Sequence, residues 1–238
     1  MQGFLRMTAA AAAVALVAGC ATTSQKDNYT EKLQKQATLA GRAATVLQQQ
    51  MLQPSQRRIP KDLVDKARCI AVFPKVTQAG FIVGGQRGRG LISCRQRSGN
   101  FTNAPPAVYT LSAASIGLQA GAAQRAVVLL FTTQQSVRAV LDSLVKLGSQ
   151  VSVSAGPTGY DRSVDTAAPI VAYGIAKKGL YAGLNLGGGK VAFDTEANTA
   201  IYGPNPDPRK VLLQTDRVPQ SMQTYVNALE SFTRHDGS

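Results

Sequence analysis

Few residues of this chain are equipped for chemistry, and their spacing narrows the options further. His235 is the only histidine, and it stands near the end of the sequence. A Ser-His-Asp relay needs an imidazole gripped by its neighbours, and terminal segments hold side chains poorly. Zinc asks for a closed set of soft ligands, and beyond the first segment only Cys69, Cys94 and His235 offer themselves. Two glycine clusters, Gly84 to Gly90 and Gly187-Gly188-Gly189-Lys190, invite a phosphate-loop reading. A Walker loop needs Ser or Thr after its lysine to hold magnesium; here Val191 follows Lys190. Both clusters read as turns. Asp161, Asp165, Asp194 and Glu196 have no spacing that pairs them for acid–base work. The expectation is a non-enzymatic chain with no catalytic residue, no cofactor and no metal.

The cysteines carry more information. Arg6 precedes an apolar stretch, Met7 to Ala18, which ends in Leu16-Val17-Ala18-Gly19-Cys20. A positive start, an apolar run of about 7–15 residues and a small-residue cut site make a secretory signal. The run falls short of the roughly 20 apolar residues that span a bilayer. Val17-Ala18-Gly19-Cys20 resembles a bacterial lipobox, which implies cleavage before Cys20 and lipid on Cys20. The alternative is an ordinary signal peptide cut near an alanine, with an incidental cysteine. The lipobox reading makes residues 1–19 a leader and 20–27 a lipidated tether. It puts the chain on a membrane, expected to be the outer membrane facing the periplasm or the cell surface. Export also permits a disulfide. Cys69 and Cys94 flank or lie in apolar runs that read as strands, so a bridge and two buried thiols both fit.

Charge suggests what such a surface attracts. The chain holds 26 Lys and Arg against 13 Asp and Glu, a formal +13, of which the leader supplies only Arg6. A surface this basic draws polyanions: nucleic acid, anionic phospholipid or another acidic envelope lipid, or acidic glycan. Export leaves nucleic acid the weakest of these, and the sequence names no protein partner. The cations grouped most closely are Lys32, Lys35 and Arg42, followed by Arg57, Arg58 and Lys61. These six are the expected lipid-binding residues.

Those cations need a scaffold. Leu33, Ala37, Ala40, Ala44, Leu47 and Met51 recur at helical spacing, so Lys32, Lys35 and Arg42 ride beside the apolar stripe of a helix over 29–52. Such a helix either packs on its own domain or lies in a membrane interface. Pro54 ends it, and Pro60 opens a short helix to Arg68. Strands follow. Ile70-Ala71-Val72-Phe73 is stopped by Pro74, and Ala79–Gln86 with Gly90–Arg95 reads as a hairpin through Arg87-Gly88-Arg89. A second hairpin signal lies at Lys177-Lys178-Gly179. Helices are expected at 134–147 and 219–233, and 203–210 reads as Pro-rich loop. The predicted fold is α+β: a mainly antiparallel, strongly curved, Gly-rich sheet between residues 70 and 195 with N-terminal, middle and C-terminal helices packed on it. One domain spans 28–233, with a tail at 234–238.

Four blocks stand out in order. They are Ile59-Pro60…Ala67 with Ile70-Ala71-Val72-Phe73-Pro74; Ala79-Gly80-Phe81…Gly84-Gly85…Gly88-Arg89-Gly90; Val151-Ser152-Val153-Ser154-Ala155-Gly156-Pro157…Gly159; and Tyr173…Lys177-Lys178-Gly179-Leu180-Tyr181-Ala182-Gly183 with Ala197-Asn198…Tyr202-Gly203. Together they resemble the SYLF lipid-binding domain family, which includes fungal actin-patch proteins of the Las17-binding type. The resemblance covers roughly residues 28 to 215. It implies binding of anionic lipid, with a basic amphipathic helix at the domain's start contributing, which places the 29–52 helix in that role. The chain departs from the family pattern at Phe101, Tyr160 and Cys69, where Trp, Arg and a small residue are usual. The resemblance therefore lends no support to a Cys69–Cys94 bridge.

Overall fold

A computed structural model describes residues 17–80, 83–116, 123–148, 153–155, 168–175, 186, 188–215 and 217–234, with side chains before Tyr29 left aside. Residues 1–16 of the leader, the Lys177-Lys178-Gly179 turn signal and His235 lie outside them. Among the described residues eight strands form one sheet: β1 Cys69–Gly80, β2 Val83–Cys94, β3 Ala107–Ile116, β4 Ala123–Phe131, β5 Leu144–Lys146, β6 Val153–Ala155, β7 Ile170–Ile175 and β8 Lys190–Phe193. Their order is β5-β8-β3-β2-β1-β4-β7-β6. Only β6 and β7 run parallel; the other neighbours are antiparallel, and the sheet curls strongly into a half-barrel. The expected α+β class and curved sheet are what the structure has.

Apolar residues fill both faces of this sheet. One face carries Ile70, Val72, Leu91, Val108, Val128 and Tyr173, covered by α1 (Val17–Met51) and α6 (Gln223–Arg234). The other carries Ala71, Phe73, Tyr109, Leu111, Leu129 and Val191, covered by α3 (Gln134–Leu141) and α5 (Pro208–Leu213). A strand buried on both faces has no polar side to alternate with. That is why β7, Ile170–Ile175, is buried at every position and reads as a continuous apolar run.

Several expectations need correction. The strand starting at Ile70 does not stop at Pro74: β1 continues to Gly80, and its register shifts between Val72 and Lys75 against β2. A proline has no N–H for the ladder, so in the middle of a sheet it fits at a bulge. The turn placed at Arg87-Gly88-Arg89 is mid-strand, and the β1–β2 hairpin closes instead beyond the Gly80–Gly84 pair. Gly88 and Gly90 serve the bulge rather than a turn. A Cβ on Gly88 would come within 2.6 Å of the Lys75 carbonyl, and one on Gly90 within 2.4 Å of the Phe73 ring.

The middle helix ends at Leu141, not 147. Ser143 takes φ 69°, and Leu144–Lys146 then form edge strand β5. The supposed loop at 203–210 contains the start of α5, whose N-cap Asp207 accepts from the Lys210 N–H while Pro208 takes the first turn. The preceding helix α4, Thr195–Tyr202, was not foreseen; Asp194 caps it, accepting from the Ala197 N–H at 3.0 Å. Finally, α1 is helical from Val17, through residues 20–27, where a flexible tether was expected.

Cys69 and Cys94 face each other across β1 and β2, both fully buried, and are joined by a disulfide closing a separation of 25 residues. Cross-linking a loop of that size lowers the entropy of the unfolded chain by an amount equivalent to about 3 kcal/mol. The Cys69→Ala/Cys94→Ala double variant is therefore expected to unfold at lower denaturant, by about that free energy, with its circular dichroism unchanged before the transition. A midpoint equal to wild type under oxidising conditions would show the bridge contributes nothing.

Candidate functional site

Helix α1 presents one stripe to the core: Gln36, Ala40, Ala43, Ala44, Leu47 and Gln50 are buried, whereas Ala37, expected on that stripe, is exposed. The inward face is narrow and small because it lies against α6. Gln50 is held by the Ile59 N–H, which donates to its Oε1 at 3.2 Å. Packing on its own domain is thus what this helix does, and the opposite face is left for its charges.

Where that face meets the bulge of β1 there is a cleft of about 610 Å³. From α1 it is lined by Glu31, Gln34, Lys35, Thr38 and Arg42; from the sheet, by Pro74, Lys75 and Arg89. The bulge makes this meeting possible. By shifting register it sets Lys75 directly opposite Arg89, on the same side of the sheet as the α1-facing core residue Leu91.

The cleft is electropositive. Lys35 is paired with Glu31 at 2.7 Å, and its hydrogen bond holds the exposed Glu31 carboxyl below the usual carboxylate range. Asp194 accepts from the Arg89 Nε at 2.9 Å, and Arg89 lines the cleft. Arg42 and Lys75 have no carboxylate partner among the described residues. Cations left unpaired beside a concave, partly apolar wall attract anions more strongly than the same charges spread over open surface.

The six predicted cations do not form one group. Lys35 and Arg42 line the cleft. Lys32 lies outside it, bridged to Glu196 of α4 at 3.2 Å. Past the helix end, the Arg58 guanidinium donates to the Gln53 carbonyl and Lys61 is paired with Asp65 at 2.5 Å. Neither these two nor Arg57 reaches the cleft. Sequence reasoning missed Lys75 and Arg89. A usable signal existed: Lys75 with Thr77, and Arg87 with Arg89, alternate with buried Val76 and Gly88, the pattern of strands with one wet face.

A second basic hollow, of about 600 Å³, lies around Arg68 and Arg95. There the guanidinium of Arg95 is committed to the fold. It donates to the carbonyls of Val64, Asp65, Ala67 and Gly99 and lies 4.9 Å from the Phe101 ring centroid, so it closes the end of α2 (Lys61–Lys66). Among the described residues no cluster of three His, Cys, Asp or Glu side chains forms a metal site, and no helix is long and apolar enough to cross a membrane.

A family model described as "Las17-binding protein actin regulator" matches residues 112–232, a stretch that holds the last two of the four sequence blocks. Protein YSC84 of Saccharomyces cerevisiae is 32% identical over 190 residues, covering 75% of this chain and 40% of that protein. LAS seventeen-binding protein 3 from the same yeast is 33% identical over 181 residues, 73% of this chain and 38% of the relative. SH3 domain-containing YSC84-like protein 1 of Xenopus laevis is 28% identical over 150 residues, 61% of this chain and 44% of the relative. The region in common is thus less than half of each of these relatives.

Proposed function

The chain belongs to the Las17-binding protein actin regulator family, and on that premise we propose that it is a non-enzymatic module that engages acidic lipid headgroups at a membrane surface. The observation that carries this reading is the cleft between α1 and the β1 bulge, where Arg42 and Lys75 have no carboxylate partner among the described residues. Lipid on Cys20 would hold the single domain, residues 28–233, against the outer membrane, on its periplasmic or its outer side. Each buried CH₂ of an acyl chain contributes about 0.8 kcal/mol, so two or more chains anchor firmly. Each Lys or Arg beside an anionic surface adds about 1 kcal/mol.

Flotation with vesicles tests the reading. The mature chain carrying Cys20→Ser, which leaves no site for the acyl group, is expected to float with vesicles of equal parts phosphatidylcholine and phosphatidylglycerol at low salt. Lys35→Glu/Arg42→Glu should reduce the floated fraction several-fold with little change in melting temperature, because both side chains are exposed. Wild-type protein that ignores acidic vesicles at low salt defeats the proposal.

The name of LAS seventeen-binding protein 3 and the description of the family support a second reading, in which the domain binds a protein partner; an acidic glycan would suit the same basic surface. Salt separates them. Headgroup or glycan binding through exposed cations weakens as ionic strength rises, whereas an apolar protein interface holds.

A further inference from the structure

The α1-facing side of the sheet is not fully covered. The helix lies over Leu91 and Val108, but further along the strands the described residues on the same face, Lys75, Arg87, Arg89, Lys190 and Lys146, are exposed. Strand register shows what it displays. Thr77 of β1 lies opposite Arg87 of β2, Arg87 opposite Ser112 of β3, Ser112 opposite Lys190 of β8, and Lys190 opposite Lys146 of β5. One row therefore reads Thr, Arg, Ser, Lys, Lys across five strands. The adjoining row begins Lys75, Arg89, Thr110. The five cations of these rows are all exposed. Lys75, Arg87, Lys146 and Lys190 have no carboxylate partner among the described residues, and Asp194, the cap of α4, accepts from Arg89 and from the Thr110 hydroxyl.

This arrangement is specific in its chemistry. Neighbouring strands stand about 4.8 Å apart, so the first row extends about 19 Å and repeats cations at steps of about 5–10 Å. The Ser112 hydroxyl stands between Arg87 and Lys190, and that of Thr77 at the end of the row, as additional donors, while the Thr110 hydroxyl is given to Asp194 at 3.4 Å. Phosphate offers several acceptor oxygens to such mixed donors and is held well by arginine. The described part of the shelf carries no aromatic ring, and single-stranded nucleic acid is bound on aromatic platforms.

We infer that this open face of β5, β8, β3, β2 and β1 is a binding shelf for a ligand carrying several phosphate groups, centred on Arg87, Lys190 and Lys146. It rests in part on the acidic-headgroup reading above, because a phosphorylated lipid headgroup is one source of such a ligand. A soluble oligophosphate is the other. The shelf adjoins the α1 cleft through Lys75 and Arg89, which belong to both.

Tripolyphosphate is the probe, titrated calorimetrically into the mature chain carrying Cys20→Ser. Arg87→Glu/Lys146→Glu/Lys190→Glu should weaken its binding about a hundredfold, since three cations at about 1 kcal/mol each are lost. Lys66→Glu/Arg97→Glu/Lys210→Glu changes the net charge equally at exposed sites off the shelf and should leave affinity within a few-fold of wild type. Equal losses in the two variants, no loss in the first, or no tripolyphosphate binding by wild type would each overturn the shelf. A melting curve for each variant separates lost binding from lost fold. The same proteins with the acidic vesicles above identify the source. If the shelf variant stops floating and tripolyphosphate displaces wild type, the ligand is a headgroup. If flotation is unchanged but tripolyphosphate binding is lost, the shelf serves a soluble phosphate compound. Wild type that binds tripolyphosphate and ignores vesicles leaves the shelf standing while the headgroup reading falls.

Discussion

Replacing Gly90 by valine should remove a large part of the free energy that holds the native sheet together. The position lies in β2 opposite the bulge, with its α-hydrogen turned toward Phe73. Even the first carbon of a side chain would come within 2.4 Å of the Phe73 ring, 2.5 Å of the Val72 carbonyl oxygen and 2.7 Å of a second ring carbon. One of those contacts is backbone in the next strand, which cannot swing aside. Overpacking a core costs about 1–3 kcal/mol when side chains can adjust; here the β1–β2 spacing itself must open. Gly90→Ala is expected to lose about 3 kcal/mol and Gly90→Val about 5, a large part of the 5–15 kcal/mol by which domains are stable. Chemical denaturation measures both. A Gly90→Ala midpoint equal to wild type would mean that the bulge relaxes freely.

Asn198 should be nearly as sensitive, for a different reason. It is fully buried on α4 and behaves as one more strand residue beside β3. Its Oδ1 accepts from the Val108 N–H at 2.9 Å, and its Nδ2 donates to the carbonyls of Val108, at 2.8 Å, and Asp194, at 2.9 Å. Asn198→Ala leaves the Val108 N–H without that acceptor and opens a small cavity, a loss of about 3–4 kcal/mol. Asn198→Asp makes a sharper test. Its second oxygen would face two carbonyl oxygens, and only the protonated carboxyl can donate there. Burial and the carbonyls raise the folded-state pKa above the unfolded value of about 3.9. Stability linked to the proton is then fully present below pH about 4 and is lost as pH rises through the higher folded value. The variant should be more stable near pH 4 than at pH 7, relative to wild type at each pH. A pH-independent difference would show that Asn198 is not bonded in this way.

The strands were legible where side chains on both faces are apolar: the runs Ile70 to Phe73, Ala126 to Thr132 and Ile170 to Ala176 read as strands, and β1, β4 and β7 hold nearly all of them. Connections were harder. Pro74 and Arg87-Gly88-Arg89 carry the local marks of a strand end and a turn, yet both lie mid-strand. Their meaning comes from each other, since a proline bulge in one strand needs glycine in its neighbour, and no local window contains both. The start of α5 reads as loop because Pro204, Pro206 and Pro208 crowd the segment, although Asp207-Pro208 is also the pattern of a helix start. The candidate site divides in the same way. Lys35 and Arg42 follow from helical spacing in one segment, whereas Lys75 and Arg89 join them only through strand register. The charge reading also treated every cation as available. Two of the six named have partners that only the fold supplies, Glu196 for Lys32 and the Gln53 carbonyl for Arg58; Lys35 and Lys61 pair with Glu31 and Asp65 one helical turn away.

The unbroken course of α1 from Val17 to Met51 changes the mechanics of any attachment at Cys20. A coil there would act as a leash, letting the domain sample every orientation within its length. A helix advances about 1.5 Å per residue, so Lys35 stands about 22 Å, and Arg42 about 33 Å, along a stiff rod from that point. An upright rod carries the cleft beyond the Debye length of roughly 8 Å at physiological salt, out of reach of the headgroups in its own leaflet. A rod lying along the bilayer brings the same cations down onto them. Tilt, rather than tether length, then becomes the variable that decides whether anchoring and anion binding take place on one membrane or bridge two facing ones.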